Sequence, residues 1–152
     1  MSTAPRLIIN LNALVQNWQM LQKKSGKAEC SAVIKANAYG LGIEPVAKAL
    51  YKAGCKTFFV AMAEEGERVR AVSPDVRIFV LNGIFADTIE TISDNNLSPV
   101  LGNMDQVALW AKRGNEVSCA LHVDTGMNRL GLDVEEAITL SQNASMLSKL
   151  NA

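Results

Sequence analysis

Hydrophobic positions along this chain follow two spacings, and the change from one to the other recurs. Short apolar, partly β-branched runs occur at Ser31–Ile34, Thr57–Ala61, Arg77–Leu81, Leu97–Leu101 and Ser118–Val123. Runs of that length bounded by turn residues predict buried strands. Each gap between them carries a helical pattern. Ahead of the first run, Leu14, Trp18 and Leu21 share one helix face, and Gly26 suits a stop. In the next gap Pro45 sits where a first-turn proline is tolerated, Val46, Ala49 and Leu50 form a stripe, and Gly54 closes it. Further helices are predicted over Ala63–Ala71, Ala86–Ser93, Met104–Lys112 (capped by Asn103, stopped by Gly114) and from Val134 to Leu140.

Strands that alternate with helices imply a parallel sheet covered by helices. Two architectures meet that description, an open doubly wound sheet and a closed (β/α)₈ barrel. The first strand is followed by neither G-x-G-x-x-G nor a P-loop, which weakens the nucleotide-binding form of the open sheet. Both architectures place ligands at the C-terminal ends of the strands. A full barrel needs about 250 residues, whereas 152 residues supply five βα units. An α/β fold is therefore expected, either a sheet that stays open or a piece of something larger. Ser148–Ala152 offers no helix stop, so the chain is expected to be truncated.

Composition narrows the function classes. With 49% apolar and 20% charged residues the chain is globular in kind. Fifteen basic residues balance fifteen acidic ones, so the basic excess of a nucleic-acid or anionic-membrane binder is missing. No apolar stretch reaches the ~20 residues of a membrane span, and Met1–Arg6 has no leader pattern. A cytoplasmic location is expected. Cys30, Cys55 and Cys119 are an odd number without a Cys-x-x-Cys pair, and His122 is the only histidine. No metal site is predicted from them, and the cysteines are expected to be buried free thiols.

Two positions carry candidate chemistry. Lys35 ends the first apolar run and is followed by Ala36-Asn37-Ala38-Tyr39-Gly40-Leu41-Gly42. Burial disfavours the charged form of an amine, so a lysine at the end of a buried strand suits a nucleophile, a base or a Schiff base. Small residues after it let backbone approach a ligand closely. The fifth run ends in Leu121-His122-Val123-Asp124, then Thr125-Gly126-Met127-Asn128-Arg129-Leu130-Gly131. An arginine between two glycines, in a loop at the strand end, suits a carboxylate or phosphate.

Together these segments are recognisable. Val33–Gly42 closely resembles the cofactor-lysine motif of alanine racemases, and Asp124–Gly131 resembles their second signature. The resemblance implies a pyridoxal 5′-phosphate enzyme with an N-terminal (β/α)₈ barrel and a C-terminal β domain, working as a homodimer. Residues 1–152 would then be the N-terminal portion of the barrel domain, with the C-terminal β domain outside the chain. The implied activity is interconversion of L- and D-alanine, supplying D-alanine for peptidoglycan.

The same resemblance implies roles residue by residue. Lys35 holds the cofactor and serves as one of two opposed bases. Tyr39 reaches the cofactor phosphate, Leu81 makes an apolar cofactor contact, and Arg129 lies near the cofactor's phenolic oxygen and the substrate carboxylate. The second base, a tyrosine of the other subunit's C-terminal domain, is neither Tyr39 nor Tyr51, so the chain alone is expected to racemise poorly. Two positions depart from the pattern. Leu41 replaces a frequent histidine, and His122 stands where many relatives have a lysine that becomes carboxylated. His122 is expected to support Arg129 rather than react.

Other residues receive plain readings. Trp18 and Trp110 lie on helical stripes and are expected to pack. Glu64, Glu65 and Glu67 with Arg68 and Arg70 read as a solvated helix face with near-neighbour charge pairs. Alternatives remain: a pyridoxal-phosphate-binding module without turnover, and another amino-acid racemase or a decarboxylase on a similar barrel, the last fitting the two signatures less well.

Overall fold

The computed structural model describes residues 5–113 and 117–152. Five strands, β1 (Ala32–Val33), β2 (Thr57–Val60), β3 (Arg77–Val80), β4 (Ser98–Leu101) and β5 (Ala120–Leu121), form one sheet. All neighbours run parallel, and the order is β1-β2-β3-β4-β5. Each strand thus lies beside the one that precedes it. A doubly wound sheet reverses its order at a switch point, and no reversal occurs here. The sheet is the incomplete wall of a barrel. A parallel bridge between Ser118 and Asn151, with Cys119 N–H donating to the Asn151 carbonyl at 2.9 Å, continues the order beyond β5.

The helices are α1 (Leu11–Lys24), α2 (Lys35–Tyr39), α3 (Ile43–Lys52), α4 (Ala63–Val72), α5 (Ile89–Asp94), α6 (Met104–Ala111), α7 (Val134–Gln142) and α8 (Ala144–Leu147). Most match the stripes read from sequence. The segment expected to be helical from Ala86 begins at Ile89 instead. Thr88 Oγ1 accepts the Phe85 N–H at 3.0 Å and donates to the Phe85 carbonyl at 3.1 Å, closing a turn before the helix starts. Asn103 caps α6 through Gln106 N–H, as expected. The predicted stop at Gly114 lies outside the described residues. The capping box of α7, Asp133 with Glu136, fixes its start at Val134.

The two sheet faces differ. Phe58, Val60, Ile78, Val80 and Leu101 are buried under the helices with Val46, Leu50, Val69 and Trp110. The register pairs Val33 with Phe59 and Phe59 with Phe79 on the opposite face. Phe59 and Phe79 stack with ring centroids 5.1 Å apart, yet both are only half-buried, and Val33 is 48% exposed. Burial on both faces, expected for parallel strands, is complete on one face only. Trp110 is fully buried and Trp18 is tied by its indole N–H to the Cys30 carbonyl at 3.0 Å, so both pack. Cys55 and Cys119 are buried thiols, pushed up to about 11 by desolvation. Cys30 is only half-buried.

The charged face of α4 is not the set of near-neighbour pairs read from sequence. Arg68 makes a two-pronged pair with Glu44 of α3, at 2.6 and 2.9 Å. That pairing holds the Glu44 carboxyl below its usual range and raises the Arg68 guanidinium. Arg70 instead donates to the carbonyls of Pro74, Val76, Asn95 and Asn96 at 2.7 to 2.9 Å. These residues staple elements together because helix packing brings neighbouring units within reach of their long side chains.

Candidate active site at the C-terminal ends of the strands

The buried Ile34 donates its N–H to the Phe59 carbonyl at 2.9 Å and ends the ladder of β1. Lys35 follows, half-buried. The next turn, α2, winds the wrong way. Ala36, Asn37 and Ala38 have φ of 52 to 54° and ψ of 46 to 49°, and Tyr39 has φ of 53°. These are left-handed helical values. Left-handed backbone costs roughly 1–2 kcal/mol for each residue with a side chain, so four in succession need support from their surroundings.

That support is visible. Ala38, itself buried, donates to the Ile34 carbonyl at 2.8 Å, and Gly42 N–H donates to the Asn37 carbonyl at 3.0 Å. The Asn37 side-chain oxygen accepts the Ile43 N–H and Arg68 Nη2, both at 3.0 Å. Asn37 N–H donates to Glu65 Oε1 at 3.1 Å. The left-handed turn places Tyr39, 64% exposed, four residues beyond Lys35 at the same end of the sheet. Leu81, half-buried, continues β3 and donates to the Val60 carbonyl at 2.9 Å.

The second signature leaves β5 at the same end. His122 is half-buried, its N–H donating to the Leu101 carbonyl at 2.9 Å. The loop then returns on itself. Asp124 N–H donates to the Leu132 carbonyl at 2.8 Å, and Leu132 N–H to the His122 carbonyl at 2.7 Å. Asp124 gathers the loop from inside, accepting N–H groups of Gly126, Met127 and Asn128 at 2.9, 2.8 and 2.6 Å. Those bonds, that from Gly126 first, hold its carboxyl below the usual range, with a smaller attraction from His122. Arg129 projects from this loop, exposed. Among the described residues, no hydrogen bond links the His122 imidazole to Arg129.

Lys35, Tyr39, Leu81, His122 and Arg129 therefore share the C-terminal end of one sheet, with Lys35 and Tyr39 in α2 after β1 and Arg129 after β5. Asn37, Glu65 and Asp124, which hold the two loops, were not singled out from sequence. The D-x-G spacing of Asp124 and Gly126 is a turn signal that could have found one of them. Glu65 gave no such signal for its bond to Asn37, which lies in the preceding unit. An amine, a phenol hydroxyl, a guanidinium and an apolar side chain around one end of the sheet suit an aromatic aldehyde that carries an anionic group.

Sequential parallel strands with polar side chains gathered at their C-terminal ends define a protein of the β/α-barrel class. Residues 9–152 match the family model described as alanine racemase, N-terminal domain. The chain belongs to the alanine racemase family. It is 49% identical over 145 residues to the alanine racemase of Methylobacterium sp. (strain 4-46), covering 93% of this chain and 40% of that protein. Its fold is similar to the crystal structure of alanine racemase from Bartonella henselae with covalently bound pyridoxal phosphate. That match has a TM-score of 0.86 and 39% identity, over 93% of this chain and 41% of that one. A histidine racemase from Leuconostoc mesenteroides subsp. sake is similar at a TM-score of 0.79 and 25% identity, over 92% of this chain and 39% of its own. The chain thus spans about 40% of the length of the relatives it matches.

Proposed function

We propose that this chain is the cofactor-holding portion of a pyridoxal 5′-phosphate-dependent alanine racemase. The observation that carries the reading is Lys35 set on a supported left-handed turn, at the same sheet end as Arg129. Lys35 would bond the cofactor covalently, Tyr39 would reach its phosphate, and Leu81 would lie against it. Arg129 would face its phenolic oxygen and the substrate carboxylate. The bound cofactor supplies a conjugated ring that takes up the electron pair left at the α-carbon. Lys35 Nζ holds or takes the proton on one face of that carbon. Among the three ion pairs of the described residues none includes Lys35, which leaves the amine free for that work.

Racemisation needs a second proton-transfer group on the opposite face. Tyr39 is assigned to the phosphate, and the Tyr51 hydroxyl donates to Asp75 Oδ2 at 3.2 Å. In this reading the second group is the tyrosine that the family resemblance implies, from the C-terminal β domain of the other subunit of a homodimer. The product would be D-alanine for peptidoglycan, made in the cytoplasm; three unpaired cysteines fit a reducing compartment. The similarity to a histidine racemase makes the amino acid accepted the narrower part of the proposal.

Protein supplied with pyridoxal 5′-phosphate should develop an absorbance band at the edge of the visible, and Lys35→Ala should abolish it. Equal bands from both proteins would overturn the role of Lys35. Exchange assays with alanine and with histidine then separate an alanine racemase from a racemase of another amino acid, and both from a binding module without turnover.

A further inference from the structure

We propose that Glu65 is a positioning residue for the cofactor site, resting on the reading just given. Its carboxylate bridges two units of the barrel wall and holds the turn that aims Lys35 and Tyr39. Oε2 accepts the N–H groups of Ala61 and Met62, at 2.9 and 3.3 Å, where β2 gives way to α4. Oε1 accepts the N–H of Asn37 at 3.1 Å, in the middle of the left-handed turn after β1. One side chain therefore joins the C-terminal ends of two adjacent strands. Asn37 is held from its other side by Arg68, which Glu44 fixes in turn.

The turn itself does not favour its own hand, since three of its four left-handed residues are alanine or tyrosine. Only Asn37 tolerates that conformation locally. Without the Glu65 bond the right-handed alternative gains ground, and a right-handed turn would carry the Tyr39 side chain to a different side of the segment. Lys35 precedes the turn and Tyr39 ends it, so the hand of the turn sets the path between amine and hydroxyl. Glu65 thus pre-organises a pair of groups that it does not touch, and pre-organisation is read as affinity.

The test compares Glu65→Ala and Glu65→Gln with the chain and with Glu67→Ala, an exposed substitution on the same helix. Two quantities are followed: hydrogen exchange at the Asn37 and Ala61 amides, and the ratio of affinities for pyridoxal 5′-phosphate over pyridoxal. That ratio isolates the phosphate contact assigned to Tyr39, which a general loss of stability would not single out. In Glu65→Ala the Asn37 amide should exchange about tenfold faster or more, matching the loss of one charge-assisted hydrogen bond. The affinity ratio should fall toward that of Tyr39→Phe. Glu65→Gln keeps one acceptor oxygen and should be intermediate, and it decides the matter if Glu65→Ala fails to fold. An unchanged ratio with slow Asn37 exchange in these variants, against a normal Lys35→Ala result, overturns the role of Glu65. A Lys35→Ala protein that keeps its absorbance band overturns the cofactor reading instead, and Asn37 exchange still reports whether Glu65 holds the turn.

Discussion

Gly131 shows how little freedom single residues have in the arginine loop. Its φ is +112°, and a Cβ there would lie 2.7 Å from the Asp124 nitrogen, a backbone atom that cannot step aside. Gly131→Ala should therefore destabilise the chain by about 1–3 kcal/mol, the range for a residue forced into a sparsely populated backbone region. Urea unfolding of the two proteins would measure it, and equal midpoints would contradict the geometry. At this scale the placement of Lys35 and Arg129 after strand ends was legible in the sequence, because a charge that closes an apolar run among small residues is conspicuous. Asn37, Glu65 and Asp124 were not. Asp124 bonds near neighbours and its turn signal could have been read, whereas Asn37 and Glu65 meet each other across 28 residues, a contact that a sequence does not show.

Helix starts tell the same story among the elements. The third residue of α4, Glu65, bonds the loop after β1. The third residue of α6, Gln106, accepts Gly102 N–H at 2.9 Å and donates to the Asn82 carbonyl at 3.0 Å, joining the loops after β3 and β4. Capping that is local in most helices is here also a link between units. Asn103→Ala removes the cap of α6 and should cost about 1 kcal/mol, read as a lower midpoint in thermal unfolding. A larger loss would mean that Gln106 had released the β3 and β4 loops as well. Strands were legible as elements because buried parallel strands are apolar runs with turn residues at their ends. The left-handed α2 was not, since alanine and tyrosine have no preference that announces it and a single asparagine does not mark a whole turn. The early part of the segment from Ala86 is not helical because the Thr88 hydroxyl bonds the Phe85 backbone before the helix can form.

For the whole molecule, sequential strand order decided between barrel wall and doubly wound sheet, a choice that periodicity alone left open. It also leaves one face only partly covered, with Val33 exposed and Phe59 and Phe79 half-buried. Apolar surface of that kind attracts other apolar surface. The chain as it stands should bind a hydrophobic fluorescent dye well above the level of a closed globular control, and titration with the dye would check it. Absence of enhancement would mean that the face is covered in solution. The pairing of every strand with its immediate predecessor has a further consequence, for synthesis. A strand leaving the ribosome finds its partner already made, so the wall can be laid down course by course in the direction of translation. No course waits for a distant stretch of chain, and the lysine-bearing first loop is fastened by Glu65 as soon as the second unit is in place.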